Sequence, residues 1–206
     1  PSIGGTDTNT GLFTGSDIIG FSTGGSERLR IDASGRLLLG TTTEGHASAD
    51  NLTINEASGN GGMTIRTDAS SAGAVYFSDA TSGGGEYNGY VQYDHNLNAL
   101  QLGTVGSERL RIDSSGRVGI GVTSFHDSST RLQLQATGSD HTGIVVTAAG
   151  TSSLAYLYMG DTDDKDIGRL VYDNSTNAMQ MWTDNAERLR IDSSGNVGVG
   201  TTSPAK

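Results

Sequence analysis

The chain contains no cysteine, so disulfide staples and thiolate metal sites are excluded and cysteine usage reveals nothing of the redox compartment. Proline occurs twice and tryptophan once in 206 residues, and aromatics amount to 6%. No apolar run is long enough to cross a membrane as a helix. Amphipathic stretches of helical period are also missing, as are long runs of Ala, Leu, Glu and Lys. Positive charge is scarce: 13 Lys and Arg stand against 23 Asp and Glu, a net charge of −10. This balance argues against a nucleic-acid partner, which would want a basic surface, and suits a surface that resists non-specific association. No secretory leader is visible, and Pro1 is not a natural start, so the chain reads as a piece of a longer protein.

What is abundant is glycine. Hydrophobic residues make up 33% of the chain, and 31 glycines complete the ordinary apolar share. Glycine buries little area, so the remaining apolar residues are spread thinly, two or three per strand. An isolated eighty-residue unit of this kind is marginal, and burial between chains would remedy it.

One phrase recurs. Glu27-Arg28-Leu29-Arg30-Ile31-Asp32-Ala33-Ser34-Gly35 returns as Glu108-Arg109-Leu110-Arg111-Ile112-Asp113-Ser114-Ser115-Gly116, and again as Glu187-Arg188-Leu189-Arg190-Ile191-Asp192-Ser193-Ser194-Gly195. The spacings are 81 and 79 residues, which marks one structural unit repeated in series. The phrase predicts a β-hairpin. Leu110 and Ile112 alternate with Arg109, Arg111 and Asp113, placing the apolar pair towards an interior and the arginines towards water or a neighbouring chain. Asp113-Ser114-Ser115-Gly116 is the turn, and Val118-Gly119-Ile120-Gly121 is the return strand. Gly119 and Gly121, with Gly198 and Gly200 in the last copy, leave one strand face bare. That signals either a short, flexible edge strand or close approach of another backbone. In the first copy Arg36-Leu37-Leu38-Leu39 replaces the Val-Gly alternation.

The similarity extends beyond the hairpin. Gly89-Tyr90-Val91-Gln92-Tyr93-Asp94 matches Gly168-Arg169-Leu170-Val171-Tyr172-Asp173, and Asn98-Ala99-Leu100-Gln101-Leu102 matches Asn177-Ala178-Met179-Gln180-Met181. Leu52-Thr53-Ile54 corresponds to Leu132-Gln133-Leu134, and Ala74-Val75-Tyr76-Phe77 to Ala155-Tyr156-Leu157-Tyr158. We therefore expect an all-β, elongated repeat protein of short strands and hairpins, about six strands per unit. Residues 1–45 are the end of a first unit, 46–124 a second, 125–203 a third, and 204–206 the start of a further repeat or a linker. Variation concentrates at 79–87 and 160–167, which read as surface loops.

The sequence presents little chemistry. It has neither a nucleophile elbow nor a phosphate-binding loop, and Gly198-Val199-Gly200 is repeat grammar rather than a dinucleotide fingerprint because no helix follows it. His46, His95, His126 and His141 lack metal-ligand spacing. Asp161, Asp163 and Asp166 are the candidate cation ligands, in the densest acidic run. However, Lys165 falls where a ligand belongs and Asp166 where a calcium loop needs glycine, so a solvated loop is the plainer reading. Strand tyrosines such as Tyr76, Tyr90, Tyr156 and Tyr158 read as packing residues, with a glycan-binding platform as the alternative. No catalytic residue, metal or cofactor is assigned, and the chain is not expected to be an enzyme.

The sequence of residues 188–204, Arg-Leu-Arg-Ile-Asp-Ser-Ser-Gly-Asn-Val-Gly-Val-Gly-Thr-Thr-Ser-Pro, closely resembles the repeats of phage tail fibres and tail spikes, and Tyr172-Asp173-Asn174-Ser175-Thr176-Asn177-Ala178 is similar to the same proteins. The resemblance covers all three units. It implies an intertwined homotrimeric β-fibre shaft in the extracellular virion tail, which positions a tip that binds a host surface glycan or protein. Its partners would be copies of itself and other virion tail components, with no nucleic acid and no membrane insertion. Such proteins often end in a self-cleaving intramolecular chaperone domain, which is not present in this sequence. In a trimer, Arg28, Arg109, Arg111 and Arg188 would be candidates to pair with Glu108 or Asp113 of an adjacent chain and set the register of the hairpins. The alternatives are a bacterial surface adhesin or filament with glycan-binding repeats, and a glycan depolymerase acting through paired carboxylates.

Overall fold

The computed structural model describes residues 10–136 and 140–205. Residues 1–9 of the first expected unit and Lys206 lie outside it. The chain is all-β: among the described residues there is no α-helix, only one 3-10 turn at Gly83–Tyr87. Two compact units comprise residues 1–133 and 134–206. No described helix is long and apolar enough to cross a membrane.

Three sheets follow one another. The first contains β1 (Gly11–Gly15), β2 (Ile18–Thr23), β3 (Ser26–Ile31), β4 (Leu37–Leu39) and β5 (Leu52–Ile54) in sequence order. The second contains β6 (Ala72–Phe77), β7 (Gly89–Asp94), β8 (Ala99–Thr104), β9 (Ser107–Ile112), β10 (Val118–Ile120) and β11 (Leu132–Leu134). The third contains β12 (Leu154–Met159), β13 (Gly168–Asp173), β14 (Ala178–Thr183), β15 (Ala186–Ile191) and β16 (Val197–Val199). Each is an antiparallel meander, with the repeated phrase supplying its third or fourth strand. In the first sheet β5 is added parallel to β4, and β11 lies beside β10 in the second.

The closing strands β5 and β11 shift the structural boundaries. The sequence reading placed Leu52-Thr53-Ile54 and Leu132-Gln133-Leu134 at the start of the second and third units. They instead complete the preceding sheets, with Leu37 N–H donating to the Asn51 carbonyl and Val118 N–H to that of Arg131, both at 2.8 Å. A repeat read by sequence offset fixes the period but not the point at which one unit ends.

The meander turns follow from side-chain chemistry. Asp94 accepts from the N–H of Asn96 at 2.9 Å and Asp173 from that of Ser175 at 2.9 Å. Asn98 and Asn177 close these turns in the left-handed region, at φ 48° and 51°, where Asn is tolerated.

Period-two alternation holds, but the face that one chain buries is the opposite of the expected one. Leu29, Ile31 and their equivalents share a face with apolar residues of neighbouring strands. That face is open: Ile31, Ile112 and Ile191 are 41%, 37% and 41% exposed. The buried residues lie on the polar side. Ala99 and Ala178 are fully buried, and Gln101 and Gln180, each 5% exposed, stand beside the long side chains of their cross-strand partners Arg111 and Arg190. A single layer has no second sheet to cover its apolar face, so long polar side chains lying over their own strands provide the deepest burial.

Candidate functional site

The most regular constellation is the hairpin repeated in each sheet. Residues three apart on a straight strand point to opposite faces, so Glu27 and Arg30 should not meet. A β-bulge brings them together. Phe21 pairs with Leu29 and Ser22 with Glu27, leaving Arg28 as the extra residue, and register shifts recur at Leu102/Gly103 and Met181/Trp182. Beyond the bulge, Glu and the second Arg share a face. Arg111 Nε and Nη2 each donate to a Glu108 carboxylate oxygen at 2.7 Å. Arg190 does the same to Glu187 at 2.7 Å, and Arg30 forks onto Glu27. These charge-assisted bonds hold the Arg30, Arg111 and Arg190 guanidinium groups above their ordinary pKa and the Glu27 carboxyl below its own. The extra Arg folds back on the preceding hairpin: Arg28 Nε donates to Thr23 Oγ1 at 3.0 Å, Arg109 to Thr104 at 3.1 Å and Arg188 to Thr183 at 3.2 Å.

The turn is equally constant. Asp113 Oδ1 accepts from the N–H of Ser115 at 2.9 Å and of Arg117 at 3.0 Å, while Oδ2 accepts from Arg117 Nε at 2.8 Å. Asp32 makes the same bonds with Ser34 and Arg36, and Asp192 with Ser194 and Asn196. Gly116, at φ 74°, takes the positive angle the turn requires and donates its N–H to the Asp113 carbonyl at 2.9 Å; Gly35 and Gly195 do likewise. The Asp32 carboxyl is held low chiefly by Arg36, and that of Asp192 by Asn196. Thus Glu108 and Asp113, expected to serve an adjacent chain, have Arg111 and Arg117 of their own chain as partners. Arg109 is exposed and bonded to Thr104.

Gly119 and Gly198 of the return strands are covered by the chain itself. A Cβ at Gly119 would lie 2.9 Å from Val122 and 3.2 Å from Phe125, and one at Gly198 would lie 2.7 Å from the Thr201 carbonyl and 3.2 Å from Pro204. The residues after the hairpin fold over this position. In the first sheet Leu38 takes the same place and is 1% exposed, filling the space with its own side chain. Gly121 and Gly200 end the return strands, donating to the carbonyls of Arg109 and Arg188 at 2.9 Å.

A cross-strand pair that sequence reading missed differs between the second and third sheets. In the first sheet the Phe13 ring lies over Gly20, two residues along from this place; in the second, Tyr90 stands opposite Gly103 with its ring over the glycine. At the equivalent place in the third sheet Arg169 stands opposite Trp182, with its guanidinium 4.2 Å from the ring centroid. Finding these pairs requires the register, which the sequence does not state.

Among the described residues no three His, Asp or Glu side chains converge as metal ligands. Asp161 accepts from the N–H of Asp163 at 2.9 Å and of Asp164 at 3.0 Å, and Asp166 accepts from Arg169 at 3.2 Å; these carboxylates shape a turn and its flank. The tyrosines cluster in two places. Tyr76 meets Tyr87 and Tyr90 edge-on, each with 6.4 Å between centroids, and Tyr156 stacks on Tyr158 at 4.3 Å. The described concavities are shallow grooves on sheet surfaces, one lined by Ile144, Val146, Leu157, Leu170 and Met179.

Comparison with models of known protein families gave no match. Comparison with curated proteins gave none either.

Proposed function

We propose that the chain is a shaft segment of a phage tail fibre, a homotrimer whose rod positions a host-binding tip. The observation that carries this reading is the apolar face of each sheet, which its own chain covers only in part. The chain exposes 14323 Å², whereas two wholly separate compact units sharing its mass would expose about 11,000 Å². The excess, about 3,300 Å² per chain, is on the scale that an obligate oligomer buries. Side chains bonded in the same way in all three sheets suit a structural role. The resemblance of residues 188–204 to tail-fibre repeats supplies the biological setting.

Light scattering tests the reading. A stable species of about 64 kDa, three chains of 21.3 kDa, is expected. A folded monomer with the apolar faces still open would refute it. The second reading, a bacterial surface adhesin, is favoured by the Tyr156–Tyr158 stack, whose rings are 43% and 41% exposed. Saturable sugar binding lost in Tyr156→Ala and Tyr158→Ala would favour that reading.

A further inference from the structure

Both complete repeats leave two matching halves of a β-ladder unused. β6 and β12 are terminal strands of their sheets, and no described strand pairs with their outer edges. Shortly upstream of each lies an extended stretch of strand-forming sequence: Gly62-Met63-Thr64-Ile65-Arg66-Thr67 before β6, and Gly143-Ile144-Val145-Val146-Thr147 before β12. Neither stretch belongs to a strand, and among the described residues no backbone–backbone hydrogen bond engages either. Ile65 is packed over Gly73, 3.3 Å from where a Cβ would stand. Met63 and Ile65 line a groove with Val75, Val91 and Leu100, and Ile144 and Val146 line the equivalent groove of the third sheet. The segments therefore lie across their own sheet's apolar face, with their backbone donors and acceptors free. Val145 is 86% exposed and Met63 60%.

We propose that segments 62–67 and 143–147 are inter-chain strands, which add to the outer edges of β6 and β12 in a second copy of this chain. This rests on the self-associating shaft reading. The occupant is a second copy because each chain carries both the segment and the edge, a short turn apart in both repeats. One rotation that places a segment on the next copy's edge satisfies every copy, and closure of the ring leaves none unpaired. The chain's own hairpin is not the solution, because the turn at 68–71 directs the segment onto the face. In that turn Asp68 accepts from the N–H and hydroxyl of Ser70, both at 2.8 Å. Strand addition would also protect two edges that otherwise invite aggregation.

Hydrogen exchange across an assembly series tests this. In the assembled chain, amides of 63–66 and 144–147 are expected to exchange about 100-fold more slowly than those of 80–84 and to lose that protection on dilution to monomer. An assembled chain whose segment amides exchange at the loop rate overturns the proposal and leaves the shaft reading standing. A chain monomeric at every concentration overturns both. Protection that persists in the monomer means an intrachain hairpin and overturns the proposal alone. Thr64→Pro with Val145→Pro removes two donors and is expected to weaken assembly about 10-fold or more, whereas Thr64→Val with Val145→Thr leaves it unchanged. A proline variant that assembles as tightly as the parent also overturns the proposal.

Discussion

Replacing Gly103 by alanine tests the cross-strand packing most sharply. The Tyr90 ring lies over Gly103, and a Cβ there would overlap it. Burial pushes the Tyr90 hydroxyl above its ordinary pKa, as expected for a ring held down on the sheet. Two effects oppose one another. Alanine restricts the unfolded chain and fits a strand better, a gain of about 0.5–1 kcal/mol. Overpacking forces the ring aside at a cost of about 1–3 kcal/mol. The clash is with the body of a ring rather than the end of a flexible chain, so the cost wins, and a net loss of about 1–2 kcal/mol is expected. Urea unfolding followed by circular dichroism measures it. In thermal melting the same loss corresponds to roughly 2–4 °C per kcal/mol for a chain of this size. Tyr90→Val removes the ring, so in the double variant the alanine is expected to be neutral or stabilising, with a coupling of at least about 1 kcal/mol. If Gly103→Ala shifts stability by less than about 0.5 kcal/mol, or the two changes are additive, the packing argument is wrong.

Two further outcomes follow from the hairpin. Leu38→Ala is expected to cost about 2–4 kcal/mol by cavity formation, measured by the same unfolding, while Gly119→Ala loses stability for the opposite reason because Val122 and Phe125 already fill its space. The turn aspartates Asp32, Asp113 and Asp192 are held below the ordinary carboxylate range. Their contribution is therefore complete above the unfolded value of about 3.9 and is lost as pH falls through the lower folded value. Melting temperature should be level above about pH 5 and decline below about pH 4, with a shallower decline in the triple Asp→Asn variant.

The sequence made the repeat, the all-β class and the Asp-Ser-Ser-Gly turn legible, because all three are local: alternation, turn chemistry and identity at a fixed offset. What it concealed depends on register. The period-two rule sets Glu108 and Arg111 on opposite faces, and only the bulge at Leu102/Gly103 reverses that parity. The same rule separated the two faces of each strand correctly but could not say which one a single chain buries. Gln101 is buried and Ile112 is not, since long polar side chains cover their own face, whereas the other is covered only in part. Gly119 signalled close approach, yet the approaching groups are Val122 and Phe125 from a few residues downstream. Alternation shows that a face is bare but not what lies on it.

The two versions of the cross-strand pair also bear on how the chain avoids confusing its own parts. Near-identical repeats joined in one polypeptide invite exchange of equivalent strands during folding. Tyr90 over Gly103 is a lock in which a ring closes on an empty position. Arg169 with Trp182 is a different key. If β14 took the place of β8 in the second sheet, Trp182 would be driven into the Tyr90 ring. If β8 took the place of β14 in the third, Arg169 would be left over a bare glycine. The third repeat is thus marked as distinct from the second at one point in an otherwise shared grammar, and that mark discriminates against the swap at the moment the central strands zip together.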